Sequence, residues 1–334
     1  MVQLQQLPEA ALKYSGLQRA EIGAAVSAVA RQWRRMGSDF DASYARLEPA
    51  LLAVLFSAQE RVADGAFAYV PDVLGDAAPE PVYASAGSRF VGVAGDGLPV
   101  ASLAYGAVVQ AKIAVSQGLD VAEALAKGGH HLTLASGTLL SDTGRSAEKV
   151  SGGARRVKLW TRMLNPPSCG RCVILAGKRS RHAEAFNRHP GCDCRNVPSS
   201  EDTGDDARTD PKAYLDGLSH DEQDRVLGSK ANGQAFRDGA DMNQIINAYR
   251  RKGAVRPAQI HGMNIKYTTE GTTRRGHAYW QMSQAQYIRE QSVFRDGSKY
   301  KRLKAPRLMP ETIYSTAQDP ADAKRLLKLY GWIV

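Results

Sequence analysis

The sequence predicts a mainly α (α+β) fold in three parts: a long N-terminal helical region, a small loop-rich module stapled by cysteines, and a C-terminal region of short helices. Apolar residues recur at helical spacing through the first part of the 334-residue chain. All four cysteines lie between Cys169 and Cys194, and only short helical patterns follow them. A chain of this length buries a substantial core and is long enough for more than one folded unit.

Two long helices are predicted at the N-terminus, over residues 8–36 and 39–69. The first carries one apolar stripe because its large apolar residues are three or four positions apart, at Ile22, Val26, Val29, Trp33 and Met36. Pro49 is expected to interrupt or begin the second helix, since proline lacks the N–H and clashes with the preceding turn. Residues 71–98, rich in Pro, Gly, Ala and Asp, are expected to form a long surface connection.

Further helices are predicted with glycines between them. They cover 103–116, 121–127 and 132–140. Gly118 and the pair Gly128-Gly129 are expected to separate them, because glycine is a poor residue for a helix interior. Residues 1–141 are therefore predicted to form one helical domain, whose apolar stripes indicate core packing or contact with partner helices.

All four cysteines fall in one stretch, which reads C-G-R-C, then sixteen residues, then H-P-G-C-D-C. The N-terminus lacks a basic region followed by an apolar block, so no secretory signal is predicted. In a reducing compartment, clustered cysteines more often bind metal than form disulfides. Residues 142–200 are therefore predicted to form a basic Cys/His zinc-binding module, and a strand is expected within it near 157–163.

Five residues are candidate zinc ligands, of which a tetrahedral site takes four: Cys169, Cys172, His189, Cys192 and Cys194. The C-x2-C pair is expected to supply two thiolates. Spacing does not choose the other two, because Cys192 and Cys194 would share one side of an extended segment, whereas H-x2-C would form a knuckle; His182 is a spare candidate. Four protein ligands make a closed, structural zinc staple rather than a catalytic site. The alternative is a small loop in which reduced cysteines pack without metal.

The remaining chain is predicted as a helical segment over 201–252 and a basic C-terminal region over 253–334. Helices are expected near 210–216, 221–227 and 240–251. Residues 268–276, T-T-E-G-T-T-R-R-G, suit a turn between short extended segments. Two short helices are expected at 310–317 and 320–330.

Positive charge is concentrated in the middle of the chain and near its end. The net charge is +10, and twelve basic residues between Asp142 and Ser200 face four acidic ones. This asymmetry indicates a polyanionic partner, either nucleic acid or an acidic protein surface, or else a solvated face with no partner. The candidate nucleic-acid or partner contacts are Arg171, Lys178, Arg179, Arg181, Arg188, Arg195, Arg274 and Arg275.

The composition is typical of a soluble globular protein, with 43% hydrophobic and 23% charged residues. No apolar run approaches the roughly 20 residues that a membrane-spanning helix needs. We therefore expect no membrane partner, and no pattern in the sequence indicates a small-molecule substrate.

The residues around the cysteines resemble the signature of the MuF-like (phage Mu F-like) minor head, or minor capsid, proteins of tailed bacteriophages. The matching residues are Trp160, Asn165, C169-G-R-C172, Gly177, H189-P-G-C-D-C194 and Arg195. The family usually has arginine between the last two cysteines, where this chain has Asp193. A weaker likeness to an actinobacterial-phage branch extends over most of the chain after Trp160, in D-G-A-D-M-N-Q-I-I-N-A, T-T-E-G-T-T-R-R-G and R-L-M-P-E-T-I-Y.

This resemblance implies a structural component of the virion, made in the host cytoplasm and located inside the capsid near the portal. The implied partners are the portal protein, the major capsid protein or both, together with packaged double-stranded DNA. Residues 1–141 would then be a docking domain for the portal or the shell. The basic segments would face DNA, because lysine and arginine neutralise phosphates and release counterions.

Relatives of this kind are often labelled capsid maturation protease, so the alternative function is a protease or other hydrolase that acts during head assembly. The sequence contains no G-x-S-x-G, no H-E-x-x-H and no P-loop. A serine protease would have to combine Ser136 or Ser141 with His130 or His131. We therefore expect a protein that is not an enzyme, with a free nucleic-acid binder as a third hypothesis.

Overall fold

The computed structural model shows a mainly α-helical protein with small antiparallel sheets, which confirms the general fold prediction. The chain divides into two compact units, an N-terminal unit of residues 5–165 and 177–208 and a C-terminal unit built mainly from residues 166–176 and 209–334. The structure describes residues 8–166, 168–181, 194–199, 210–251, 253–260, 262–271, 277–284, 292–293, 302–303 and 307–334.

Long helices build most of the N-terminal unit: α1 Glu9–Trp33, α2 Phe40–Leu74, α3 Val100–Ser116 and α4 Val121–Ala154. Polar side chains cap two of them. Asp39 accepts a hydrogen bond from the Ala42 N–H at the start of α2, and Asp120 and Glu123 form a reciprocal capping box at the start of α4. The first two predicted helices are confirmed.

Pro49 does not interrupt α2, contrary to expectation. A proline inside a helix costs about 3 kcal/mol. On the same helix, Leu47, Leu51 and Leu55 are at most 6% exposed, and each fully buried leucine contributes about 1.5–3 kcal/mol. Burial of this leucine stripe therefore outweighs the cost of the proline.

The prediction that Gly128 and Gly129 separate two helices is wrong, because both lie inside α4. The indole of Trp33 packs on this pair: a Cβ at Gly128 would lie 2.7 Å from Trp33 Cζ2, and one at Gly129 would lie 2.7 Å from Cδ1. Trp33 Nε1 also donates to the Leu125 carbonyl at 2.9 Å. The two glycines therefore allow α1 and α4 to approach closely, and α4 continues across residue 141.

The connection between α2 and α3 contains short 3-10 turns at Gly75–Ala77 and Gly87–Phe90. It is held on α2 by the amide of Gln59. Gln59 Oε1 accepts from the Gly92 N–H, and Gln59 Nε2 donates to the Val93 carbonyl, both at 3.0 Å. The expected surface connection is thus anchored to the helix that precedes it.

A three-stranded antiparallel sheet of order β2-β1-β3 completes the described N-terminal unit. Its strands are β1 Leu159–Met163, β2 Arg179–Arg181 and β3 Arg195–Ser199. The central strand β1 pairs with β3 over five residues, with Trp160 opposite Pro198 and Met163 opposite Arg195. Pro198 fits because β3 is an edge strand. The strand expected near 157–163 is confirmed.

Short helices form the first part of the C-terminal unit: α5 Gly170–Val173, α6 Pro211–Asp216, α7 His220–Leu227, α8 Lys230–Arg237 and α9 Met242–Ala248. Helix α8 is not predicted from the sequence. Its sequence, K-A-N-G-Q-A-F-R, lacks an apolar stripe, and Ala235 and Phe236 are its buried apolar residues. The hydroxyl of Ser229 caps it by accepting from the Asn232 N–H at 3.2 Å.

The last part of the C-terminal unit contains a hairpin, short strands and helices: β4 Val255–Ile260, β5 Met263–Thr268, α10 His277–Gln284, β6 Ser292–Val293, β7 Arg302–Leu303, β8 Arg307–Leu308, α11 Pro310–Thr316 and α12 Pro320–Leu329. β5 lies between β4 and β8, and β6 pairs with β7. The hairpin turn lies at Gly262, whose φ is +78°. Residues 272–276 of the turn expected over 268–276 lie outside the described residues. Among the described helices, none combines the length and apolar character that a membrane-spanning segment requires.

Candidate functional site

Cys169 directly precedes α5 and Cys172 lies within it, so the first cysteine pair is on one helical turn. The N–H of Val173 donates to the Cys169 carbonyl at 3.0 Å, which closes the turn, and the Sγ atoms of Cys169 and Cys172 are 3.4 Å apart. Two thiolates bound at about 2.3 Å to one tetrahedral zinc lie about 3.8 Å apart. The pair therefore comes close to the separation that a shared metal needs.

The two residues between these cysteines hold the turn within the C-terminal unit. A Cβ at Gly170 would lie 2.6 Å from the Val226 carbonyl oxygen, so glycine lets the turn approach the end of α7. Arg171 Nη2 donates to the carbonyls of Tyr249 at 2.8 Å and Arg250 at 3.0 Å. Arg171, a predicted partner contact, thus binds the carbonyl groups at the end of α9, a favourable position for a cation.

Of the three other candidate ligands, the structure describes one, Cys194. Cys194 directly precedes β3 and is 1% exposed. His189 and Cys192 lie outside the described residues, as does the spare candidate His182. Within the described ranges, no group of three or more His, Cys, Asp or Glu side chains is placed to hold a metal ion. A zinc site with four of the five ligands therefore stays a prediction.

The residues that begin and end the cysteine motif meet in the sheet of the N-terminal unit. Trp160 on β1 is 1% exposed and packs against Gly152 of α4, where a Cβ would clash with the indole. The strand that follows Cys194 pairs with β1 along its whole length. The hydroxyl of Tyr69 donates to the Asn196 carbonyl at 3.1 Å. The two ends of the motif, Trp160 and Cys194, are therefore buried in this unit.

Arg195, a predicted nucleic-acid contact, lies in the core of the N-terminal unit and is 7% exposed. Its Nη1 is 3.4 Å from Glu148 Oε1. Its guanidinium lies over the ring of Tyr14, 5.1 Å from the centroid, and that ring stacks on Tyr69 with centroids 4.4 Å apart. Arg195 therefore belongs to a buried ion pair, in which each charge offsets the desolvation of the other.

The acidic partner in this pair, Glu148, was not singled out from the sequence. Burial raises the pKa of the Glu148 carboxyl, and the charge of Arg195 opposes that rise. A signal for Glu148 exists in the helical spacing, because Leu140, Gly144 and Glu148 follow one another at steps of four on the buried face of α4. This spacing can be recognised from the sequence only if the helix is assumed to continue beyond residue 141.

The remaining predicted basic contacts fall into two groups. Lys178 and Arg179 are exposed at the edge strand β2. The backbone of Arg181 pairs with Leu159, while its side chain lies outside the described part of the structure. Arg188, Arg274 and Arg275 also lie outside the described residues.

Two other exposed cations, Arg156 and Lys158, are not among the predicted contacts. Together with Ser199 they line a pocket of about 160 Å³ near the start of β1. Its other walls are apolar, formed by Leu74, Ala77, Pro79 and Val157. Nothing in the sequence distinguishes these two cations from the others in the basic segment.

The residues considered for a serine protease all lie on α4. An α-helix rises about 1.5 Å per residue, so Ser141 is about 15 Å along the axis from His130 and His131. Ser136 is fully buried, and five or six residues rotate it by about 140–240° from the two histidines. None of these serine–histidine pairs is within hydrogen-bonding reach.

No family model, no curated protein and no solved structure matches this chain. The assignment of a function therefore depends on the residue pattern and on the geometry described above.

Proposed function

We propose that this protein is a minor capsid, or head-morphogenesis, protein of a tailed phage that acts structurally inside the head near the portal. The observation that carries the proposal is the residue pattern from Trp160 to Arg195, which resembles the MuF-like signature. The placement of this pattern supports it, because β1 and β3 at its two ends pair directly. The two ends of the pattern are thus neighbouring strands of one sheet.

Zinc is the proposed staple of this module. Cys169 and Cys172 would hold it together with two of His189, Cys192 and Cys194, and the 3.4 Å separation of the first two sulfurs supports this role. A zinc ion with four protein ligands supplies a structural cross-link and leaves no open coordination position. Gly170 and Arg171 position the first two ligands through their contacts with α7 and α9.

The proposed protein partners are the portal protein, the major capsid protein or both, and the proposed docking domain is the helical region α1–α4. Its helix α3 carries an exposed apolar stripe. Tyr105, Val109 and Ile113 are four residues apart and 39–42% exposed, so they lie along one side of the helix. An apolar stripe of this kind suits contact with another protein. Packaged double-stranded DNA is the proposed nucleic-acid partner.

Purified phage particles provide the test of this proposal. We expect mass spectrometry to detect the chain in intact particles in few copies, and we expect added protease to digest it only after the heads are opened. Absence from purified particles, or digestion in closed heads, would overturn the proposal.

No enzymatic activity is proposed, because the serine and histidine candidates on α4 are too far apart to form a dyad. Purified protein incubated with the major capsid protein is expected to leave it uncleaved. Cleavage that is abolished by Ser136→Ala or His131→Ala would favour the hydrolase alternative.

A further inference from the structure

The end of α4 places Arg156 in a backbone conformation that favours glycine. Its φ is +52°, and among the described residues it is the one non-glycine residue with positive φ. In this left-handed region a Cβ comes too close to the following carbonyl oxygen, so most residue types adopt it at a cost.

The hydrogen bonds at this helix end define a Schellman motif. The N–H of Arg156 donates to the Gly153 carbonyl at 3.1 Å, and that of Val157 donates to the Gly152 carbonyl at 2.9 Å. The helices α3, α8 and α12 end in the same pair of bonds, and the residue equivalent to Arg156 is a glycine in each of them: Gly118, Gly239 and Gly331. The backbone conformation favours glycine at this position. The presence of arginine therefore indicates a role for its side chain.

The side chain of Arg156 is exposed, and no hydrogen bond or ion pair joins its guanidinium to the described residues. It lines the pocket of about 160 Å³ with Lys158 and Ser199. The Ser199 hydroxyl already donates to the Leu159 carbonyl at 3.5 Å, so the donors considered are the guanidinium of Arg156 and the ammonium of Lys158, both positively charged. This donor set suits an anionic group that presents several acceptor oxygens.

The same small sheet carries further positive charge on its other edge, where Lys178 and Arg179 are exposed. Over residues 142–200 as a whole, twelve basic residues face four acidic ones, so the segment carries a net positive charge. Cations distributed across a sheet suit a linear polyanion, and duplex DNA carries one phosphate charge per about 1.7 Å of its axis.

We propose that Arg156 and Lys158 form a phosphate-binding site at this pocket for the backbone of nucleic acid, and that Lys178 and Arg179 extend this contact across the sheet. The inference rests on the proposed function only for the identity of the nucleic acid, which would be packaged double-stranded DNA. Phosphate is favoured over the carboxylates of an acidic protein because the regularly spaced charges of a nucleic-acid backbone can reach cations that are spread across the sheet.

The affinity of the purified full-length protein for a short random-sequence DNA duplex tests this inference, measured by fluorescence anisotropy over a range of salt concentrations. Arg156→Gln/Lys158→Gln is expected to bind at least ~10-fold more weakly near 0.1 M salt and to lower the salt slope by about 1.8, since each phosphate contact contributes about 0.9. The control Arg19→Gln/Arg31→Gln removes the same charge from exposed positions on α1 and is expected to keep the wild-type slope.

A second variant, Arg156→Asn, removes the charge but keeps the backbone conformation, because asparagine tolerates the left-handed region. It therefore separates the effect of the charge from that of the backbone. We expect weaker DNA binding, a slope lower by about 0.9 and a thermal midpoint no lower than that of the wild type. Wild-type DNA affinity in both Arg156 variants, equal losses in the α1 control, or a preference for polyglutamate over DNA would overturn the inference. A protein that binds DNA through this pocket but is absent from phage particles would contradict the proposed function alone.

Discussion

Arg195 and Glu148 show how a cation from a basic segment becomes part of a core. Both side chains are at least nine-tenths buried, and their charged atoms are 3.4 Å apart. Removing one partner of a buried pair leaves the other charge without compensation, whereas removing both costs little. The contribution of each residue to the stability of the fold therefore depends on the presence of the other.

Replacement of Arg195 by methionine is expected to lower the free energy of unfolding by about 3–5 kcal/mol, because it leaves the Glu148 carboxylate buried without its cation. The double variant Glu148→Gln/Arg195→Met is expected to recover most of this loss. Urea denaturation followed by tryptophan fluorescence measures both. A double variant as unstable as the single one would contradict the role assigned to the pair.

Glu148 is also expected to make stability depend on pH. Burial raises the pKa of its carboxyl, so the folded protein binds this proton more tightly than the unfolded chain does. Its favourable contribution is therefore complete at low pH and is lost as the pH rises from the ordinary carboxyl pKa through the raised one. The stability of the wild type relative to Glu148→Gln is expected to increase as the pH falls through that window. A difference that stays constant from acid to neutral pH would exclude this linkage.

Arg307 is a second buried arginine, and it makes several hydrogen bonds to backbone carbonyls. It is 1% exposed and donates to the carbonyls of Tyr330, Gly331 and Glu270 at 2.7, 2.8 and 3.2 Å. Its guanidinium also lies over Trp332, 3.6 Å from the ring centroid. Lysine has neither the planar fork nor the stacking surface needed to reproduce these contacts.

Arg307→Lys is therefore expected to lower the free energy of unfolding by about 2–4 kcal/mol, since hydrogen bonds to charged groups contribute about 1.5–3 kcal/mol each. The matched control is Arg325→Lys, where 65% of the arginine side chain is exposed, and its effect is expected to stay within about 0.5 kcal/mol. Equal effects of the two substitutions, measured by urea denaturation, would show that the buried contacts of Arg307 contribute nothing.

Helices are the elements that the sequence predicts best, because apolar spacing reports directly on burial. The stripe through Val29 and Trp33 correctly indicates α1. Two incorrect predictions, one for α2 and one for α4, have the same cause. Pro49 and the Gly128-Gly129 pair break helices by local preference, yet tertiary packing of neighbouring leucines and of Trp33 outweighs that preference. Local sequence contains no information about such distant partners.

The contrast between two helical glycines tests this explanation. Gly128→Ala would place a Cβ 2.7 Å from both the Ala107 carbonyl oxygen and Trp33 Cζ2, and it is expected to destabilise the protein by about 1–3 kcal/mol. Gly23→Ala, on the exposed side of α1 with no atom within 4 Å of the added Cβ, is expected to stabilise it by about 0.4–1 kcal/mol. Thermal or urea denaturation measures both, and changes of the same sign would contradict the packing role of Gly128.

For the whole molecule, the net charge predicts a polyanionic partner but does not identify the basic residues that would contact it. The structure separates the basic residues of 142–200 by environment: Arg195 lies in the core, Arg171 binds the carbonyls at the end of α9, and Arg156 is exposed beside a pocket. Charge counting alone assigns all of them the same role. The folded structure distinguishes the buried and hydrogen-bonded arginines from the exposed one.

The zinc staple is the prediction that concerns the whole chain. We expect elemental analysis of the purified protein to find about one zinc per chain, and Cys169→Ser to lose the metal and lower the thermal midpoint, while Ser102→Ala, an exposed control on α3, keeps both. His189, Cys192 and Cys194 are then replaced one at a time. Because a tetrahedral site takes four of the five candidates, one of these three variants is expected to retain zinc and the wild-type midpoint, which identifies the residue that is not a ligand. Full zinc content and an unchanged midpoint in Cys169→Ser would refute the staple.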